Sequence, residues 1–329
     1  MDGMSLRKVS HIRNSRGRVV RRSYGHKKKA PYIFILMLIL GISLYFFGPW
    51  KEGIVFNGNG ITGNETNNEE VQKEPEPVPK KDTVTLVAEI EAYLGQQIGT
   101  YGYTVIELDD EREFGKRDTT YYTAASSIKV AIFTYLYHQI ESGAVNPDTK
   151  LTYTSADYEG GTGSLVADPI GSKYKISYLA ERMIKVSDNV ATNILIRYLG
   201  RTNIQNYLNN QGLPEIKMAT NDVTPRSMAK LLKLIYQEKL LNSASKELLL
   251  GYMKNSITPE RLVAGVPKTV EVAHKIGSWS GAMSDIGIVF AENRAYAISV
   301  YTEGVAWGAA TDAVIAGISR KVYDFEQSF

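Results

Sequence analysis

The chain has 329 residues, 43 % of them hydrophobic and 10 % aromatic, enough to bury one large or two smaller cores. It contains no cysteine, which excludes disulfides, thiolate catalysis, Cys-ligated zinc and a lipid-bearing N-terminal cysteine. The net charge of +3 is unevenly placed: residues 1–82 hold 14 Lys/Arg and 8 Asp/Glu, leaving 24 and 27 for residues 83–329, so nothing basic in the larger part calls for nucleic acid.

Residues 1–29 carry ten Lys or Arg against one acid, Asp2. From Ala30 to Trp50 the chain runs 21 residues without a charge, long enough as a helix to cross a hydrocarbon core of about 30 Å. Tyr32, Tyr45 and Trp50 sit near its ends as interfacial aromatics do, and the positive-inside rule places 1–29 in the cytoplasm and the rest outside. A cleaved signal peptide competes with this reading, but the apolar run is longer than a typical h-region and no clear small-x-small cleavage site follows. The expectation is a single-pass anchor at 30–50 in a cell membrane. Residues 51–82, rich in Gly, Asn, Glu and Pro, read as an extracellular linker, stiffer at Glu74–Pro79.

Within 83–329, apolar Val84, Val87, Ile90 and Leu94 predict a first helix, and Tyr101–Leu108 and Arg112–Gly115 predict two strands. A helix through Ile128, Ile132, Leu136 and Ile140 stops at Gly143. Residues 144–270 read as helices and loops, with helices at 174–185, 189–199, 203–210, 225–237 and 243–254, and a tight glycine loop at 160–164. Strands return at 272–276, 285–291 and 295–302, and a helix over 309–325 closes the chain. The order predicts a mixed α/β (α+β) domain: an antiparallel sheet built from both ends, flanked by helices, with an inserted all-α subdomain.

Ser126 and Lys129 lie three residues apart, a spacing that places them on one helix face, where a lysine withdrawn from water can act as base to a serine nucleophile. Ser5/Lys8, Ser172/Lys175 and Ser243/Lys246 share the spacing, so the pair alone decides nothing. Only Ser126/Lys129 is followed in order by both Ser187-Asp188-Asn189 and Lys275-Ile276-Gly277-Ser278.

With these three motifs the chain resembles the penicillin-recognising serine hydrolases, class A β-lactamases and the related D,D-peptidases, over about residues 83–329. The resemblance implies an acyl-enzyme on Ser126, with Lys129 as base or relay to one, and Ser187 and Lys275 passing the proton to the leaving nitrogen. It implies Asn189 on the substrate's acyl amide, Gly277 and Ser278 in the substrate-binding strand, and Lys275 and Ser278 facing a carboxylate. The backbone N–H groups of Ser126 and Ser278 would form the oxyanion hole. No cofactor or metal is implied; the implied partners are a peptidoglycan stem peptide of the D-alanyl-D-alanine type or a β-lactam.

The chain departs from the family in two places. Ile276 replaces the threonine of Lys-Thr-Gly, and the Glu-x-x-Leu-Asn segment that supplies a deacylating base is missing between Gly212 and Thr224. Glu215 is the one glutamate there, a candidate base that follows a proline without Leu-Asn in register, and Asp222 is a weaker one. Slow deacylation is therefore expected. Efficient β-lactamase turnover and a low-activity penicillin-sensing or wall-binding module are the alternatives.

Overall fold

The structure, a computed structural model, describes residues 82–110, 112–292 and 294–328. The expected cytoplasmic tail at 1–29, the anchor at 30–50 and nearly all of the linker lie outside the described residues. Among the described residues, no helix is long and apolar enough to cross a membrane.

Helix α1 (Thr83–Leu94) is capped by Asp82, whose side chain accepts from Thr85 N. Its buried stripe is Leu86, Ile90 and Leu94; Val84, expected on that stripe, is exposed because it stands two residues before Leu86, about 200° around the helix. Strands β1 (Thr100–Glu107) and β2 (Glu113–Lys116) follow. Together with β7 (Glu271–Trp279), β8 (Ala282–Phe290) and β9 (Ala295–Glu303) they form one antiparallel sheet in the order β2-β1-β9-β8-β7. The two ends of the domain meet where β1 pairs with β9, Thr104 opposite Ser299.

Between them lie the short strand β3 (Tyr122–Thr123) and the helices α2 (Lys129–Glu141), α3 (Ile176–Lys185), α4 (Asn189–Leu199), α5 (Arg201–Asn210), α6 (Pro225–Tyr236) and α7 (Ser243–Lys254). The closing helix α8 (Ala309–Glu326) packs beside α1. Two small ribbons interrupt the stretch expected to be helical: β4 (Lys150–Thr152) pairs with β5 (Lys173–Lys175), and β6 (Asp222–Val223) pairs with β3. Strands of two or three residues are too short to show a period in sequence.

The sheet is buried on both faces. Ala273, Ile286, Ile288, Ala297 and Tyr301 join the core of the helical insertion, while Val272, Val289, Tyr296, Ile298 and Val300 join the core beneath α1 and α8. Neighbours along β8 and β9 thus point to opposite cores, which is why these strands read as continuous apolar runs rather than alternating ones.

Candidate active site

Ser126 sits in a single 3-10 turn, Ala125–Ile128, that leads directly into α2 at Lys129. Side chains three apart eclipse in a 3-10 helix, so the turn sets Ser126 and Lys129 in line along its axis. Entry to the turn is strained: Ala125 has φ +47°, a left-handed conformation that a side chain disfavours. The turn is held by Ser127, whose buried hydroxyl donates to Ala124 O at 2.8 Å and bonds the Tyr301 hydroxyl at 2.7 Å. Strand β7 lies against it at Gly277, where a Cβ would fall 2.3 Å from Ala124 O and 3.2 Å from Ser127 N. Only glycine permits that approach. It brings together the two backbone segments that carry the expected oxyanion donors.

The second motif occupies the corner between α3 and α4. Ser187 has φ +56°, and Asp188, fully buried, fixes the corner with its carboxylate: one oxygen caps α4 by accepting from Ala191 N at 3.0 Å, the other accepts from Ser164 N at 2.8 Å and Leu165 N at 3.0 Å. The corner turns the Ser187 hydroxyl to face two lysines. Lys129 Nζ and Lys275 Nζ each donate to Ser187 Oγ at 3.1 Å. Lys129 also donates to Ser187 O at 2.7 Å and Asn189 Oδ1 at 2.8 Å, and Lys275 to Ile276 O at 3.2 Å.

Both lysines are almost wholly buried. Burial, reinforced by the charge of Lys275, pulls the Lys129 ammonium down to about 7, against the opposing pull of Glu159 and Asp188. Lys275 is lowered to about 8, chiefly by burial; Asp285 opposes the shift and Arg261 adds to it. A lysine near 7 is neutral in a useful fraction at neutral pH and can take a serine proton. The Ser126 hydroxyl, half-exposed, takes part in no hydrogen bond among the described residues.

Ser126, Lys129, Ser187, Asn189, Lys275 and Ser278 all line one cleft of about 1320 Å³, with Ile276 also on its wall and Gly277 behind it against Ala124. Glu215 is not among the lining residues. Its loop buries Leu213, Ile216 and Met218, and these apolar anchors leave Glu215 facing elsewhere, half-buried. The part of that loop on the cleft wall is Met218 and Asn221; Asp222 lies on β6, outside the cleft.

Arg261 was not legible in the sequence. Nearly buried, it donates to Gly277 O at 2.8 Å, Ser284 O at 2.5 Å and Ser278 Oγ at 2.6 Å, and pairs with Asp312 at 2.7 Å. It therefore adds a second cation to the Lys275–Ser278 end of the cleft, where an anionic substrate group would be met. Behind this end, buried Asp285 bonds His274 Nδ1 at 2.9 Å and Leu262 N at 3.1 Å, tying the strand that carries Lys275 to the segment that carries Arg261. No string in the sequence marks either residue, because each acts through partners distant in the chain. Among the described residues no group of His, Asp or Glu is arranged to hold a metal.

Comparison with known proteins places the arrangement. The model of the β-lactamase enzyme family matches residues 85–325. Beta-lactamase 3 of Bacillus cereus is 30 % identical over 164 residues, a match that spans 45 % of this chain and 52 % of that protein. Beta-lactamase VEB-1 of Pseudomonas aeruginosa is 23 % identical over 74 % of this chain and 91 % of its own length. Among solved structures, a leucine-to-glutamate mutant of PBP-A, an acyl-enzyme complex with penicillin G, superposes with a TM-score of 0.71 at 27 % identity, covering 77 % of this chain and all of that one. The sheet assembled from both ends, the three motifs meeting in one cleft and the family match over the whole described domain agree, and this chain belongs to the β-lactamase enzyme family of serine hydrolases.

Proposed function

We propose that this protein is a membrane-anchored hydrolase that forms an acyl-enzyme at Ser126 with D-alanyl-D-alanine-type peptidoglycan peptides or with β-lactams, and releases the product slowly. The observation that carries the reading is the Ser187 hydroxyl held between Lys129 and Lys275 at 3.1 Å from each, in the same cleft as Ser126. In the proposed cycle, neutral Lys129 takes the Ser126 proton as Oγ attacks the scissile carbonyl. The oxyanion of the tetrahedral intermediate is met by the N–H groups of Ser126 and Ser278. Ser187 passes a proton to the leaving nitrogen and recovers one from the lysines. Lys275, Ser278 and Arg261 hold the substrate's carboxylate, and the Asn189 amide meets its acyl carbonyl.

Slow release follows from the loop over 211–221, which presents Met218 and Asn221 rather than a carboxylate to the cleft. The curated relatives are named β-lactamases, which favours the second reading, efficient turnover. The uncharged run at 30–50 flanked by the basic tail supports the anchor and a catalytic domain outside the cytoplasm.

The test is time-resolved labelling of the full-length chain by a fluorescent penicillin, beside nitrocefin turnover. Stoichiometric labelling lost in Ser126→Ala, with a burst of nitrocefin and little turnover after it, supports the proposal. Sustained turnover supports the β-lactamase reading, and no Ser126-dependent labelling refutes both.

A further inference from the structure

One end of the cleft has no assigned partner. Lys275, Ser278 and Arg261 suit an anion; of the other cations on the cleft lining, Lys185 pairs with Glu181 and Arg201 donates to Met218 O. Glu159 lies on the same cleft wall as Asn189, the residue expected at the substrate's acyl amide. The glycine-rich loop that carries Glu159 is fastened to α4 by several hydrogen bonds: Asn189 N donates to Thr162 O at 3.1 Å, Asn189 Nδ2 to Gly160 O at 2.9 Å, and Asn193 Nδ2 to Glu159 Oε2 at 2.7 Å. Asn189 and Asn193 are one helical turn apart and share a face, so the Glu159 carboxylate is oriented beside the acyl-amide position.

This carboxylate is exposed, and the partner that orients it is a neutral amide; among the described residues no Lys or Arg forms an ion pair with it. The other acidic groups on the wall differ. Asp312 is held by Arg261, and Glu260 precedes Arg261 at the cationic end. Glu159 lines the same cleft as Ser126 and Lys129, and its charge is felt at Lys129.

We propose that Glu159 is a specificity-determining residue that selects substrates whose acyl portion carries a protonated amine, such as a peptide with a free amino group on the acyl side of the bond attacked. The assignment rests on the reading of Ser126 as the acylated nucleophile. A substrate with a carboxylate on its leaving side and an ammonium on its acyl side matches both ends of the cleft.

Three penicillins that differ at one acyl carbon test it: benzylpenicillin has hydrogen there, ampicillin an amine, carbenicillin a carboxylate. Acylation rates of the full-length chain are compared at low ionic strength and about pH 6, below the α-amino range. The expected order is ampicillin, benzylpenicillin, carbenicillin, with about tenfold between first and last at this partly exposed site, a ratio that shrinks as salt is added. Glu159→Gln keeps an acceptor for Asn193 and should bring the three rates together, while Glu159→Lys should invert the order. A uniform change in all three rates is what a structural or Lys129-tuning role gives, and it overturns the assignment, as does an order that Glu159→Gln leaves unchanged. No Ser126-dependent acylation by any of the three, in protein that still melts cooperatively, overturns the acyl-enzyme reading itself.

Discussion

Replacing Lys275 by methionine should move the pH at which the active site switches on. If Lys129 accepts the Ser126 proton as proposed, acylation by the wild type should rise with pH through about 7 and decline as Lys275 loses its charge above about 8. Both ammonium nitrogens donate to the same Ser187 oxygen at 3.1 Å, so no more than twice that distance separates them. At about 6 Å and an effective dielectric of about 20, two unit charges repel by about 2.8 kcal/mol, equivalent to about two pH units. Burial is the larger cause of the lowered Lys129 value, and Lys275 is itself only partly charged near pH 8, so the share removed with it is nearer about one unit. Lys275→Met should therefore carry the rising limb from about 7 toward about 8, whatever rate is lost through weaker carboxylate binding. Lys275→Arg, which keeps the charge, should leave the limb in place. The assay is the second-order rate of penicillin labelling under single-turnover conditions across pH 5.5 to 10, a range of about two units either side of both limbs. A limb that stays at about 7 in the methionine variant would show that Lys129 is set by burial alone, and the two-lysine account would fail.

Two further perturbations separate the scaffold from the chemistry. Asp188→Asn leaves one acceptor oxygen for three backbone N–H groups now shared between two carboxylate oxygens, so urea unfolding should show a loss of about 2 kcal/mol, with slower labelling as the Ser187 corner loosens. Glu326 is buried against the sheet, and burial together with the negative Glu107 raises its carboxyl to about 8. A raised carboxyl favours the protonated folded state, so the stability it contributes is complete below the unfolded value and is lost as pH rises through about 8. Glu326→Gln, neutral throughout, should flatten the fall in melting temperature between pH 6 and 9 by about 1–2 kcal/mol equivalent, without changing the labelling rate at pH 7.

What the sequence disclosed and what it withheld divide along a physical line. Ser126 with Lys129, the Ser-Asp-Asn corner and the Lys275 strand were readable because each depends on a few neighbouring residues: an eclipsed 3-10 pair, a helix cap, a strand end. The helices were readable for the same reason, with α4 and α7 found at the expected 189–199 and 243–254, behind N-caps Asp188 and Asn242. Arg261 was not, since its partners lie 16, 17, 23 and 51 residues along the chain and its own surroundings carry no periodic signal. Glu159 stood next to a glycine loop that read as a structural turn, and its link to Asn193 spans 34 residues. The close packing at Gly277 was equally invisible, because the clash that enforces glycine comes from Ala124 on another element.

The missing deacylation motif shows why a residue type and its position must be judged together. Glu215 has the right functional group, and its loop occupies the stretch where the family carries its glutamate. Yet the loop folds by burying Leu213, Ile216 and Met218, and those three decide which positions can face Ser126. Met218 and Asn221 reach the cleft and Glu215 does not. A base must come within hydrogen-bond reach of the water it activates. A deacylating base supplied by this loop would therefore have to stand at a position that those anchors already turn toward the cleft.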